Sequence, residues 1–218
     1  MLFPRLIKRK ECLVPTGLGW TILIGIFAGV VITGVFCVYP FLAVSDPVAA
    51  DVLVVEGWLP DYALEQAKTE FERRGYSLLL TTGEPLPLGS YLLPYKSYAE
   101  LSASTLKHLG VPKHSVVAVP SLLVRRDRTL ASAVALAEWL KNSRPAVRSL
   151  NILTFGVHAR NSRSIFQYAL GDSMRVGVIA VQDEGFDPDS WWETSRAVQV
   201  ILNEAVGYLY WKLVCLSI

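Results

Sequence analysis

From Cys12 to Ser45 the chain carries no charged side chain, and no other feature restricts its fold as strongly. A helix of about 20 apolar residues crosses the hydrocarbon core of a bilayer. In lipid it is also the one single-segment structure that satisfies its own backbone hydrogen bonds. Residues 18–40 meet that requirement, with Trp20 and Tyr39 near the two ends, where amphipathic aromatics favour the interface. Arg5, Lys8, Arg9 and Lys10 precede the segment, and no Lys or Arg follows it until Lys68. The positive-inside rule then predicts a cytoplasmic residue stretch 1–17 and a domain delivered across the membrane. The expected location is the inner (cytoplasmic) membrane, single-pass, with the domain facing the periplasm or exterior. Small residues at Ala43 and Ser45 offer a cleaved signal peptide as the rival, but the apolar run exceeds the 7–15 residues of a signal core.

Composition agrees with a chain partly in lipid: 18% of residues are charged, against about a quarter in soluble domains. The net charge of +2 and the lack of a basic, aromatic-interleaved patch give no reason to expect nucleic acid as a partner. Cys12, Cys37 and Cys215 have neither zinc nor disulfide-framework spacing, so no metal is expected.

Beyond Ala50 the pattern changes period repeatedly. Short apolar runs at 51–55, 77–81, 115–119, 150–155 and 175–181 read as strands buried on both faces. Between them lie segments with helical spacing: Leu64, Ala67 and Phe71; Leu101, Thr105, Leu106 and Leu109; Leu130, Val134, Ala137 and Leu140; Ile165, Phe166 and Ala169. A last helix is expected from Ser190 to about Leu213, with Val198, Ile201, Ala205 and Leu209 on one face. Alternation of this kind predicts an α/β fold: a Rossmann-like three-layer sandwich around a mostly parallel five-stranded sheet, over residues 50–213.

In such sheets ligands bind beyond the carboxyl ends of the strands. This sequence places there Glu56 and Gly57, then Gly83 and Glu84, then Arg125, Arg126 and Thr129, then His158, Arg160 and Arg163. Arginines beside helix N-termini suit phosphate or carboxylate. His158 and Glu56 are the candidate acid–base pair, and Gly57 and Gly83 the candidates for close backbone approach. Neither GxGxxG nor GxxxxGKS is present, and no cofactor is specified.

The ordered set Val54-Val55-Glu56-Gly57-Trp58-Leu59-Pro60, Thr82-Gly83-Glu84, Leu109-Gly110-Val111-Pro112, Arg128-Thr129 and His158-Ala159-Arg160 with Ile165-Phe166 resembles the YdcF/SanA/ElyC family. The resemblance spans roughly residues 50–213 and includes the N-terminal anchor. It implies a role in bacterial envelope biogenesis linked to peptidoglycan and its lipid carrier, and a site bordered by Gly83, Thr129, His158 and an arginine. This chain has Asn161 where the family's arginine usually stands, and Glu84 where a second glycine is common. The expectation is therefore a protein of the cytoplasmic membrane that recognises an anionic, lipid-linked envelope precursor such as a polyprenyl-phosphate-linked glycan. A non-catalytic module binding envelope proteins, and a nucleotide or adenosyl-cofactor domain, remain as alternatives.

Overall fold

A computed structural model of the chain describes residues 12, 14–89 and 91–215. Arg5, Lys8, Arg9 and Lys10, on which the orientation rests, lie outside the described residues. The chain divides into two compact units, Met1–Cys37 and Val38–Ile218. A single helix, α1 (Gly17–Leu42), begins in the first and ends in the second. Its mean hydropathy of 2.5 over an 18-residue window makes it long and apolar enough to cross a membrane.

The second unit is α/β. Strands β1 (Val52–Glu56), β2 (Leu78–Gly83), β3 (Val116–Pro120), β4 (Ser149–Phe155) and β5 (Arg175–Val181) form one sheet in the order β3-β2-β1-β4-β5. Every pairing is parallel, so the sheet is wholly rather than mostly parallel. Consecutive residues of β1 serve opposite faces. Leu53 and Val55 join the core under α2 (Asp61–Arg74) and α3 (Tyr98–His108), while Val52 and Val54 join the core under α4 (Arg128–Ser143) and α5 (Ala159–Leu170). All five β1 residues are buried. That explains why the strand reads as a continuous apolar run rather than an alternation.

Local chemistry sets the helix ends. Ser97 caps α3 by accepting from the Glu100 N–H, and Gly75 ends α2 in the left-handed conformation at φ 67°, its N–H bonded to the Phe71 carbonyl. The inward faces of two helices differ from the expected ones. In α3 the buried residues are Ala99, Ser102, Ala103 and Leu106, and in α4 they are Ser132, Ala133, Leu136 and Leu140, whereas Val134 is exposed. Small residues face the sheet because they let the helix backbones approach it closely, which a search for large apolar side chains overlooks. The last helix, α6 (Ser195–Tyr210), starts later than Ser190 because a 3-10 segment, Pro188–Glu193, breaks at Ser190 (φ −135°).

The compact unit starts well before residue 50. Leu42 is fully buried, and the chain that follows is fastened to the sheet. Asp46 exchanges backbone hydrogen bonds with Val178 of β5, at 2.8 and 3.1 Å. Asn151 of β4, itself fully buried, accepts from the Val48 N–H and donates to the Val48 carbonyl, both at 2.8 Å.

Candidate functional site

The strand order reverses between β1 and β4, which places the topological switch point beside Glu56 and the turn after Phe155. A cavity of about 400 Å³ opens there, lined among others by Glu56, Trp58, Thr82, Gly83, Glu84, Arg128, Thr129, His158 and Glu204.

His158 is the hub. It closes the 3-10 turn Gly156–His158 that follows β4, and its side chain keeps only 14% exposure. Its Nδ1 lies 2.7 Å from Glu204 Oε2 on α6. Its Nε2 lies 3.8 Å from Glu56 Oε2 and 3.4 Å from the Thr129 hydroxyl. Burial by itself pushes the imidazole pKa down. The Glu56 carboxylate, together with the hydrogen bond and charge of Glu204, outweighs that, with Arg128 opposing, and the pKa rises from 6.5 to about 9. The ring is therefore an imidazolium at neutral pH, and both of its nitrogens are donors. The Trp58 ring stands edge-on to it, 5.6 Å between centroids.

Glu56 ends β1 and is buried. Its Oε2 accepts from the hydroxyls of Thr154 on β4 and Ser162 on α5, the latter at 3.0 Å. Two neutral donors and the nearby imidazolium are what allow a carboxylate at this depth. Across the cavity Arg128 pairs with Glu84 at 3.0 Å, though its side chain is 70% exposed. The Arg128–Thr129–Ser132 turn that begins α4 forms one wall. That helix starts after Asp127, a non-glycine residue at φ 59° whose side chain makes no capping hydrogen bond. Positive φ is uncommon outside glycine, and aspartate is among the residues that tolerate it best. The hydroxyl of Thr82, at the end of β2, is buried and has no hydrogen-bond partner among the described residues.

The structure thus brings together Glu56, Gly83, Glu84, Thr129 and His158. Gly57 adjoins them without lining the cavity: a Cβ there would lie 2.6 Å from the Tyr98 carbonyl, so its lack of a side chain serves the approach of α3 rather than of a ligand. Gly83 is tight for the same reason, since its Cβ would meet that of Tyr98 at 2.7 Å. Arg125 and Arg126 are exposed on the loop after β3. Arg160 donates to the Phe41 carbonyl and lies over the Phe41 ring, 4.1 Å from its centroid. Arg163 bonds Val176 O at 3.0 Å and Asp46 at 2.8 Å. Both arginines hold the chain that enters the domain, through Phe41 and Asp46, and neither lines this cavity.

Three participants were not singled out from the sequence: Glu204, Thr154 and Ser162. Glu204 had a legible signal. It falls in the series Ala197, Ile201, Glu204, Tyr208, at helical spacing, so a carboxylate sits on the inward stripe of an amphipathic helix. Among the described residues no group of three or more His, Cys, Asp or Glu side chains is placed to hold a metal ion. Beside the first cavity, and sharing Trp58, His158 and Glu204 with it, lies a second of about 270 Å³, lined by Tyr39, Phe155, Val157, Phe186 and Val200.

No protein-family model matches this chain, and no curated protein matches it either. What the fold and site define is a parallel α/β domain, joined to a helix able to span a membrane, with a histidine held between two carboxylates at the strand ends.

Proposed function

We propose that the chain is a single-pass protein of the cytoplasmic membrane, domain outward, whose strand-end cavity recognises the phosphate of a cell-envelope precursor, such as a polyprenyl-phosphate-linked glycan. The observation that carries this reading is His158: an imidazolium at neutral pH whose Nε2 lies beside Thr129 in the opening turn of α4. A helix N-terminus, a protonated histidine and the Arg128 guanidinium all favour a phosphate dianion. Glu204 and Glu84 are each paired with one of these cations, which limits their repulsion of the ligand. The resemblance to the YdcF/SanA/ElyC family and the basic N-terminus supply the envelope and the orientation.

In this reading Nε2 donates to a phosphate oxygen and, in hydrolysis of the ester, gives its proton to the departing alkoxide while water adds to phosphorus and yields its proton to Glu56. Glu204 fixes the ring through Nδ1, as an orienting carboxylate does for a catalytic histidine. Glu56, held by Thr154 and Ser162, is the opposing base.

The test is calorimetric binding of methyl phosphate and of undecaprenyl phosphate to the full chain in neutral-lipid nanodiscs. Loss of a charge-assisted hydrogen bond in His158→Gln is expected to weaken both by about tenfold or more. Equal binding by wild type and H158Q, or none by either, would sink the phosphate site and favour a module that binds envelope proteins.

A further inference from the structure

The cavity at the strand ends has two chambers, and they differ in chemistry. The first presents His158, Thr129 and Arg128. The second is walled by Phe155, Val157, Phe186 and Val200, with Tyr39 contributed by the last turn of α1. Its charged side chains are paired among themselves, Asp183 with Arg196 at 3.2 Å and Glu204 with His158 at 2.7 Å. Its interior therefore offers a ligand little besides apolar contact. His158, Trp58 and Glu204 form the partition, so a molecule with its polar group on His158 Nε2 has the apolar chamber directly behind the same side chains.

We infer that the second chamber takes the first carbons of a prenyl or other long apolar chain esterified to the phosphate, so that the ligand is a lipid phosphate recognised across its head–tail junction. The inference rests on the phosphate reading of the first chamber and names its substrate class. One feature favours a lipid tail over an apolar side chain of a peptide. The wall residue Tyr39 belongs to the helix that is itself long and apolar enough to cross a membrane, so the chamber adjoins the point where that helix joins the domain.

The experiment compares methyl phosphate with geranyl phosphate on the full chain in neutral-lipid nanodiscs, for wild type, Val200→Trp and Val200→Asn. The first variant fills the chamber and the second makes its wall polar at nearly constant volume. Partition of the geranyl chain into the disc is common to all three and cancels. Burying even two methylenes is worth tenfold, so wild type should bind geranyl phosphate about tenfold or more tighter than methyl phosphate. That gain should vanish in both variants while methyl phosphate binding, which also reports a folded site, is unchanged. A diazirine at the chain's first isoprene unit should label the peptide containing Phe186 in wild type and not in V200W. Equal affinity for the two phosphates in wild type, or a chain gain and labelling that survive both variants, would overturn the tail chamber and leave the phosphate site standing. Conversely, photolabelling of the Phe186 peptide by a geraniol probe without any methyl phosphate binding would support the apolar chamber and strike the phosphate reading alone.

Discussion

Replacing Glu204 by Gln tests the electrostatics of the site directly. Glutamine keeps the length of the side chain and an oxygen able to accept from His158 Nδ1, but removes the charge. In the native protein the His158 pKa stands at about 9 against an ordinary 6.5, a difference worth on the order of 3 kcal/mol in favour of the protonated form. The charge of Glu56, 3.8 Å from Nε2, is the largest upward contribution, and Glu204 adds both a 2.7 Å hydrogen bond and its charge. A hydrogen bond between charged groups is worth about 1.5–3 kcal/mol, so its loss should lower the midpoint by about 1–2 pH units. The assay is NMR titration of ring-labelled histidine, with only His108 and His114 to distinguish from His158. The linked stability change has a definite sign. A raised folded-state pKa stabilises fully below the unfolded value near 6.5, and that stabilisation is lost as pH climbs through about 9. E204Q should therefore begin its alkaline decline at the same pH near 6.5 but lose less stability and complete the loss at a lower pH than wild type, while the two converge above pH 10 in this contribution. A wild-type His158 that titrates with the other two histidines, or an E204Q midpoint unmoved from about 9, would refute the two-carboxylate account.

Other perturbations probe neighbouring parts of the fold. Leu42→Ala empties a fully buried site, and thermal or denaturant unfolding of the full chain should show a loss of about 2–5 kcal/mol. Gly177→Ala drives a Cβ into Asn151 and to 2.6 Å from the Val48 nitrogen, which should cost about 2–4 kcal/mol and raise amide exchange at Val48. Thr82→Val removes a buried hydroxyl that has no partner among the described residues; thermal unfolding should show stability held or slightly raised. Arg160→Ala should leave phosphate binding unchanged, since the guanidinium is engaged with Phe41.

The layer architecture was legible because β1 to β5 are short apolar runs, each bounded by turn residues, and a parallel sheet buried on both faces leaves that imprint. Glu56 and His158 were legible because one ends β1 and the other closes the turn just after β4, where topology alone fixes the neighbourhood. The inward faces of α3 and α4 were not, since Ser102, Ala103, Ser132 and Ala133 pack closely through their smallness rather than through apolar area. Nor were the directions of Arg160 and Arg163. Two and five residues past His158 on one helix, they point to other azimuths, toward partners such as Phe41 and Asp46 more than a hundred positions away in sequence. Glu204 was missed although its place on the inward stripe of α6 is legible, because a charged residue on a partly apolar helix reads as solvated until its partner is known.

The pairing of Asp46 with Val178 also bears on where the domain can be cut. β5 is the last strand of the sheet, and an uncovered edge is a template for another chain. Here the chain leaving α1 covers it at Val178, sealed by Asn151 and Arg163. A fragment that begins at residue 50 would lose that cover and offer β5 to its neighbours, whereas one that keeps Asp46 and Val48 carries the seal with it.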